Sequence, residues 1–456
     1  MTRLFGTNGI RGVIGEEMTA PLALDVGRAI GTFLQGGSMA IGSDTRTSSP
    51  MLKAAATSGL MAVGCDVLDV GTAPSPAVQY YVKTHDVVGG VIITASHNPP
   101  EYNGIKVLDA QGMEVSRKVE EAIEGIFFQR AFGQASWHSA RDVRTVIGCN
   151  RAYLDAILAR VDVDLIRRTG LRVVLDCGNG ASCFTSPYLL QELGCGVTTL
   201  NAQPDGTFPG HPSEPREEHV TELMEMVVDT GSDLGAVHDG DADRVLFVDE
   251  KGRYVYGDRS LALVAGYVVG RGGGGTVVTP VSSSSCVEEV VKAGGGGVKY
   301  TKVGAPLVAR TMYEVGAVFG GEENGGLIFP EHQYSRDGAM GLAVILEVMS
   351  SEQASLSELL SRIPAYHLAK RSVSCPAELK EAVLNALRPH FADRRVETID
   401  GLKVHYDRGW VLIRPSGTES IFRVFSEGRT KDEAEGLAVK AVSTIQKVIE
   451  EIESEG

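Results

Sequence analysis

Long apolar runs are missing from this sequence: none approaches the roughly 20 consecutive residues that a membrane-spanning helix needs, which excludes a helical membrane protein. The N-terminal stretch MTRLFGTNGIRG has Gly, Asn and Arg where a signal peptide needs an apolar segment, so export is not indicated and the cytoplasm is the expected compartment. The seven cysteines (Cys65, Cys149, Cys177, Cys183, Cys195, Cys286, Cys375) are scattered and odd in number, with no C-x-x-C pair. That argues against zinc and dithiol centres and leaves most of them as small core residues. Positive charge is also in deficit. Lys and Arg total 43 against 58 Asp and Glu, a formal net charge of −15. Phosphate backbones are bound through basic excess, so no nucleic-acid partner is expected. An anionic small substrate stays compatible where local basic groups overcome the long-range repulsion. The glycine runs at 272–275 and 294–297 are not followed by the Lys-Ser/Thr of a P-loop and read as turns or flexible loops.

What is present is material for several cores. At 456 residues and 43% hydrophobic composition, the chain exceeds a single core and predicts domains of roughly 100–150 residues each. Three segments share one plan: an apolar strand, a polar or Gly/Ser loop, a helix-length stretch, a Gly, and a second strand opening with Val. They are MAIGSDTRTSS through GCDVLDVG, RVVLDCGNGAS through TTLNAQPDG, and TVVTPVSSSS through KYTKVGAP. In each, a Gly precedes that Val by three positions: Gly64 and Val67, Gly194 and Val197, Gly295 and Val298. Strand, helix, strand in this order is a crossover unit of a parallel sheet, which presents ligand-binding loops at the carboxyl ends of its strands. After about Pro364 the plan changes to a helical AELKEAVLNALRPHF, a strand pair around GWVLIRPSGTESIFRVFSEG, and a long helix opened by Thr430 and Glu433 as a capping box. The expected fold is α/β: three related α/β domains with mixed, largely parallel sheets (1–150, 151–253, 254–366) and a smaller α+β domain (367–456) around a central cleft.

Four polar loops carry the chemistry. In HDGDADRVLFVD, Asp239, Asp241 and Asp243 alternate, the spacing that lets a tight loop fold three hard oxygen ligands around Mg²⁺ or Ca²⁺. An EF-hand is rejected: Arg244 stands where its sharp turn needs Gly, and the flanks read as strands. A purely structural acidic turn leaves three close carboxylates repelling one another, so metal binding is the preferred reading. TASHNPPEYNGIK sets Ser96 and His97 at the end of an apolar run. Adjacent side chains on extended backbone point apart, and no G-x-S-x-G elbow is present, so a Ser-His dyad is not supported; alone, the segment also fits a capping serine. RPSGTES gathers Arg414, Ser416, Gly417 and Thr418, a phosphate cradle or an ordinary hairpin turn, with Arg423 nearby favouring phosphate. GGEENGG places Glu322, Glu323 and Asn324 where carboxylate and amide can hold sugar hydroxyls, or where a solvated hairpin would look the same. Arg11, Arg46, Lys106 and Lys302 fall on what read as loops, each by itself a surface charge.

Taken together and in order, these loops resemble those of the α-D-phosphohexomutases, the family of phosphoglucomutases, phosphomannomutases and phosphoglucosamine mutases. TASHNP is similar to the family's phosphoserine loop, DGDADR to its metal loop, GEENGG to its sugar loop and RPSGTES to its phosphate loop, over essentially the whole chain. The resemblance implies a phosphoryl group on Ser96 and one Mg²⁺ held by Asp239, Asp241, Asp243 and a phosphoserine oxygen. It implies interconversion of a hexose 6-phosphate and its 1-phosphate through a 1,6-bisphosphate, which also serves as activator. Glu322 and Asn324 would then take the sugar. Arg414, Ser416, Gly417 and Thr418 would take phosphate, with Arg423 and Lys302 as further substrate-binding residues, Arg11 and Lys106 the proton transfer, and Arg244 the orientation of the phosphoryl group. Two positions depart from the family. Ser420 stands where Pro is usual, loosening the turn without removing a donor, and Gly326 stands where some relatives carry His. LFGTNGIRG resembles phosphoglucosamine mutases of archaeal type, pointing to glucosamine phosphate, while GEENGG resembles the dual glucose/mannose enzymes equally. A phosphatase using the same serine and metal, and a non-catalytic Ca²⁺ or sugar-binding protein, are the competing classes. A monomer or homodimer is expected.

Overall fold

The computed structural model describes residues 3–6, 8–139, 141–416 and 419–455. Among them, twenty strands form four sheets. The first comprises β1 (Ile10–Val13), β2 (Gly37–Ser43), β3 (Cys65–Thr72), β4 (Gly89–Ile93), β5 (Tyr102–Asp109) and β6 (Val143–Thr145), in the order β1-β5-β4-β2-β3-β6. The second holds β7 (Arg172–Asp176), β8 (Gly196–Leu200), β9 (Leu234–His238), β10 (Val245–Asp249) and β11 (Tyr254–Val255), ordered β11-β10-β9-β7-β8. The third is β13-β12-β14-β15, from β12 (Gly275–Pro280), β13 (Gly296–Thr301), β14 (Phe319–Glu322) and β15 (Gly326–Ile328). All three are mixed: a parallel centre built from crossover units, with antiparallel strands added at one edge.

The repeated plan is realised three times. β2 and β3 flank helix Ser49–Ala62, β7 and β8 flank helix Ser186–Glu192, and β12 and β13 flank helix Ser285–Ala293, each strand pair parallel. Val67, Val197 and Val298 sit opposite Met39, Val173 and Val277. The preceding Gly64, Gly194 and Gly295 have φ of +93°, +75° and +81°. The chain turns there from helix back into sheet through a left-handed residue, a conformation open to glycine without a Cβ clash.

The first three sheets share one continuous hydrophobic core that runs from Val78 and Tyr153 through Leu175 and Val245 to Phe319 and Ile345. At its centre lies helix Gly338–Glu352, buried on nearly every side, which explains why its sequence GAMGLAVILEVM is apolar without a polar stripe. The fourth sheet is antiparallel throughout: β16 (His367–Ser374), β17 (Val396–Glu397), β18 (Leu402–Tyr406), β19 (Gly409–Pro415) and β20 (Ile421–Gly428), ordered β16-β20-β19-β18-β17. It packs its own core against helix Lys431–Glu455. The capping box is present at that helix: Thr430 N donates to Glu433 Oε2 at 3.0 Å and Glu433 N to Thr430 Oγ1 at 3.2 Å. No helix among the described residues is long and apolar enough to cross a membrane.

Candidate active site

β4 ends at Ile93, and the chain passes through Thr94 and Ala95 to Ser96, which is fully buried with φ +52°. A left-handed residue other than glycine costs on the order of 1–3 kcal/mol and persists only where its surroundings hold it. The acidic loop leaves β9 at His238 and returns at Val245, with Ala242 also left-handed at φ +55°. That turn folds the alternating aspartates together, so that one oxygen from each of Asp239, Asp241 and Asp243 lies within 4.8 Å of one from each of the others. The two loops meet: Ser96 Oγ donates to Asp239 Oδ2 at 2.9 Å. Ser75, at the start of helix Ser75–Thr84, donates through Oγ to Asp241 Oδ2 at 2.6 Å.

Among the described residues, three cations form ion pairs with this acid cluster. Lys106 Nζ lies 2.8 Å from Asp241 Oδ2 and 3.2 Å from Asp243 Oδ2. Arg244 Nε lies 3.7 Å from both Asp239 and Asp243, and its Nη2 donates to His97 Nδ1 at 3.0 Å. Arg336 bridges Asp243 and, at 3.2 Å, Glu322. Burial and the neighbouring Asp243 and Asp241 push the Asp239 carboxyl up to about 8, against the pull of Arg244 and Arg336. Burial would also raise Asp241, but Lys106 and the Ser75 hydroxyl override it and hold that group below the usual carboxylate range. For Lys106 burial disfavours the charge, and Asp241, Asp243 and Glu114 outweigh it, raising the ammonium above its ordinary value. Burial together with Arg244, Arg11 and Arg336 drives His97 far below the ordinary imidazole range. His97 is therefore a neutral acceptor for Arg244 and not the base of a dyad.

The donor set suits a small hard cation. Asp241 Oδ1 and Asp243 Oδ1 are buried without a hydrogen-bond partner, and with Asp239 and the Ser96 hydroxyl they offer oxygen-only ligation of the kind Mg²⁺ takes.

Several expectations about the basic residues change. Lys106 lies on β5 and Arg11 on β1, not on loops; these paired antiparallel strands aim them inward, Arg11 Nη1 donating to Asn98 Oδ1 at 2.6 Å. Arg46 is not a surface charge but is 1% exposed and bonded beneath the serine loop. Lys302 alone of the four is an exposed loop residue, between β13 and helix Ala305–Val315. Glu322 ends β14, accepts from Gly304 N at 3.2 Å, and joins the acid cluster through Arg336. Asn324 turns the β14–β15 hairpin, its Oδ1 accepting from Gly326 N at 3.2 Å. Gly326 is glycine for a local reason: a Cβ there would lie 2.2 Å from Arg336 Cδ.

In the fourth domain Arg414 and Arg423 face each other across β19 and β20. Arg414 pairs with Asp400 at 2.9 Å, and Asp400 also accepts from Val303 N at 3.1 Å, tying this strand pair to the segment bearing Lys302. Ser416 is buried and its Oγ accepts from Glu419 N at 3.2 Å. Arg423 is ion-paired with the exposed Glu419. Gly417 and Thr418 lie outside the described residues. Arg336, Ser75 and the Asp44–Arg46 pair escaped the sequence reading. Arg336 sits in YSRDGAM, which carries no spacing or composition signal; Asp44 and Arg46 stood in a noticed loop, where a buried arginine is the less usual outcome.

A serine and a carboxylate trio come together here from the first and second domains, the third adding Glu322 through Arg336, and the class follows from comparison with known families. Profiles of the phosphoglucomutase/phosphomannomutase α/β/α domains I, II and III match residues 2–134, 151–252 and 256–366, and that of the C-terminal domain matches 373–444. The chain belongs to the phosphoglucomutase/phosphomannomutase family of phosphohexomutases, whose members are isomerases. Among individual relatives it is 42% identical over 457 residues to a phosphoglucomutase/phosphomannomutase of Thermococcus kodakarensis, covering 98% of this chain and 100% of that one. It is 43% identical over 456 residues to a probable phosphoglucosamine mutase of Methanopyrus kandleri, covering 99% and 100%. A solved phosphoglucomutase/phosphomannomutase family protein from Burkholderia thailandensis superposes with a TM-score of 0.89 at 27% identity, covering 98% and 97% of the two chains.

Proposed function

We propose that this chain interconverts a hexose 6-phosphate and the corresponding 1-phosphate through a phosphoserine at Ser96 and a bound hexose 1,6-bisphosphate, with glucosamine phosphate as the preferred substrate. The observation that carries this reading is the 2.9 Å approach of Ser96 Oγ to Asp239 within the carboxylate trio. Asp239, Asp241, Asp243 and an oxygen on Ser96 would hold one Mg²⁺, which when bound neutralises phosphoryl charge.

The phosphoryl group passes from Ser96 Oγ to the free hydroxyl of the sugar phosphate, and the hydroxyl's proton ends on Ser96. The bisphosphate turns over and returns its other phosphoryl group by the reverse transfer. Lys106, held protonated by its carboxylate neighbours, and Arg11 are the candidates for the proton movement; Arg244, locked between Asp239, Asp243 and His97, orients the phosphoryl oxygens. Glu322 and Asn324 are suited to hold sugar hydroxyls in either orientation. Arg414 and Arg423 stand on opposed strand positions, where a phosphate dianion would exchange with their present partners Asp400 and Glu419, and Ser416, Gly417, Thr418 and Lys302 complete that proposed site. The glucosamine preference is supported by the N-terminal resemblance and by relatives of the Methanopyrus kind; the Thermococcus relative favours glucose and mannose as the second reading.

Intact mass should show one phosphoryl group on the wild-type chain and none on Ser96→Ala. Turnover should need Mg²⁺ and rise on adding a hexose 1,6-bisphosphate. Wild-type turnover by Ser96→Ala would sink the mechanism, and inorganic phosphate released in step with substrate loss would make the protein a phosphatase. The ratio of kcat/KM on the 1-phosphates of glucosamine, glucose and mannose decides the sugar.

A further inference from the structure

The conformation of Ser96 requires an explanation that the metal loop does not supply, because Asp239 touches the Ser96 hydroxyl and leaves its backbone unaccounted for. Both backbone groups lead to one buried ion pair. Ser96 N donates to Thr94 Oγ1 at 2.9 Å, and the Thr94 hydroxyl donates in turn to Asp44 Oδ2 at 2.7 Å. Ser96 O accepts from Arg46 Nη2 at 2.9 Å, and Arg46 Nε pairs with Asp44 Oδ2 at 3.1 Å. A closed circuit thus runs from the Ser96 amide through Thr94, Asp44 and Arg46 back to the Ser96 carbonyl. Arg46 spends its other donors on the same loop, Nη1 reaching Pro99 O at 2.6 Å and Tyr102 O at 2.8 Å, and Nη2 also reaching Asn98 O. Asp44 accepts further from Ser49 Oγ at 2.9 Å and Arg46 N at 3.0 Å, so neither charge of the pair is left unmatched.

The second domain closes over this circuit. Ser213 Oγ gives the Ser96 carbonyl a second donor at 3.1 Å, the Phe208 ring lies 5.0 Å from the Arg46 guanidinium, and Thr45 Oγ1 donates to Asn179 O at 3.1 Å. Gly206 approaches so closely that a Cβ would stand 2.3 Å from Thr47 N. A lysine could not replace Arg46, because one ammonium with three donors cannot span the carboxylate and four separate carbonyls that a planar five-donor fork reaches.

We propose that Asp44 and Arg46 are positioning residues for phosphoryl transfer: they hold Ser96 in its left-handed conformation by both backbone groups, whether or not its hydroxyl is phosphorylated. Neither touches the reacting atoms. Their work is to keep Oγ aimed while the phosphoryl group leaves and returns, when the hydroxyl's own contacts change. This rests on the phosphoserine reading above. A misplacement of the order of 1 Å costs about 10²-fold in rate, so the loss should fall on kcat and not on sugar-phosphate binding.

The test uses the full-length protein with Mg²⁺, and begins by confirming phosphate on wild-type Ser96 by mass; its absence fails the phosphoserine reading and this proposal with it. With wild type phosphorylated, Arg46→Lys should lower kcat about 10²-fold while KM stays within about threefold. Thr94→Val, which breaks only the amide arm of the circuit, should lower kcat by about tenfold, the worth of one buried hydrogen bond. The phosphoserine ³¹P resonance should broaden or shift in both. Unchanged kcat in either folded variant, a loss confined to KM, or an unshifted resonance overturns the proposal and leaves the phosphoserine reading standing. If Arg46→Lys does not fold, Thr94→Val and Ser213→Ala, each removing one backbone contact of Ser96, decide the matter by the same split.

Discussion

Arg336 shows how much one side chain can organise. It is 5% exposed and joins Asp243 of the metal-type loop to Glu322 of the sugar-type loop, so a single guanidinium couples the second and third domains at the site. Burial works against its charge, and Asp243, Glu322 and Glu114 more than compensate, holding it above its ordinary value. Replacing Arg336 by Met is expected to destabilise the protein by about 3–5 kcal/mol, because the buried Glu322 loses its counter-charge and Asp243 keeps only Lys106 and Arg244. Urea unfolding of the variant beside wild type measures this; an unchanged midpoint would show that solvent or another cation reaches those carboxylates. The aspartate spacing was legible at this scale because three carboxylates in five residues are a local pattern. Arg336 was not, since one partner lies on the second domain and the other on a separate hairpin of the third, and nothing in YSRDGAM records them.

At the scale of elements, the repeat of strand, helix and strand was legible through the glycines that follow each helix and the valines near the start of each second strand, although those strands open one or two residues earlier, at Cys65, Gly196 and Gly296. Less visible was where helices touch. Helices Ala20–Leu34 and Ser49–Ala62 cross with backbones in contact: a Cβ on Gly59 would lie 2.1 Å from Leu24 O, and one on Gly27 2.4 Å from Ala56 O. In an exposed helix Gly→Ala gains about 1 kcal/mol, but here overpacking opposes it by about 1–3 kcal/mol or more. Gly59→Ala should therefore lower the thermal midpoint despite the better helix former; a raised midpoint would mean that the helices can part at little cost. The assignment of Lys106 and Arg11 to loops failed for a related reason. YNGIK reads as a turn by composition, yet β1 and β5 pair in register from Ile10↔Ile105 to Val13↔Tyr102, a partnership of distant segments.

For the whole molecule, the seam between the third and fourth domains carries its own charge problem. Lys403 on β18 is 4% exposed, donates to Val281 O at 2.7 Å and lies 4.1 Å from the Trp410 ring. Burial lowers its ammonium from 10.5 to about 8, with Glu427, Glu397 and Glu288 opposing. Between those values the unfolded chain keeps the proton that the folded chain has lost, so stability contributed by this group rises with pH. Relative to Lys403→Met, wild type should gain stability as pH climbs from about 8 to 10.5 and show no such trend below it. Urea unfolding of both proteins on either side of that window checks the sign. By itself the sequence determined what depends on near neighbours: the α/β repeats, the change of plan after the third domain, the carboxylate loop, and the four polar loops whose order carries the family resemblance. Only the tertiary structure decided that Ser96 meets Asp239, that Arg336 links two loops, and that Arg46 lies buried beneath the serine. Each of those contacts joins segments far apart in the chain, and a charge found its place by what packed around it, not by the residues beside it.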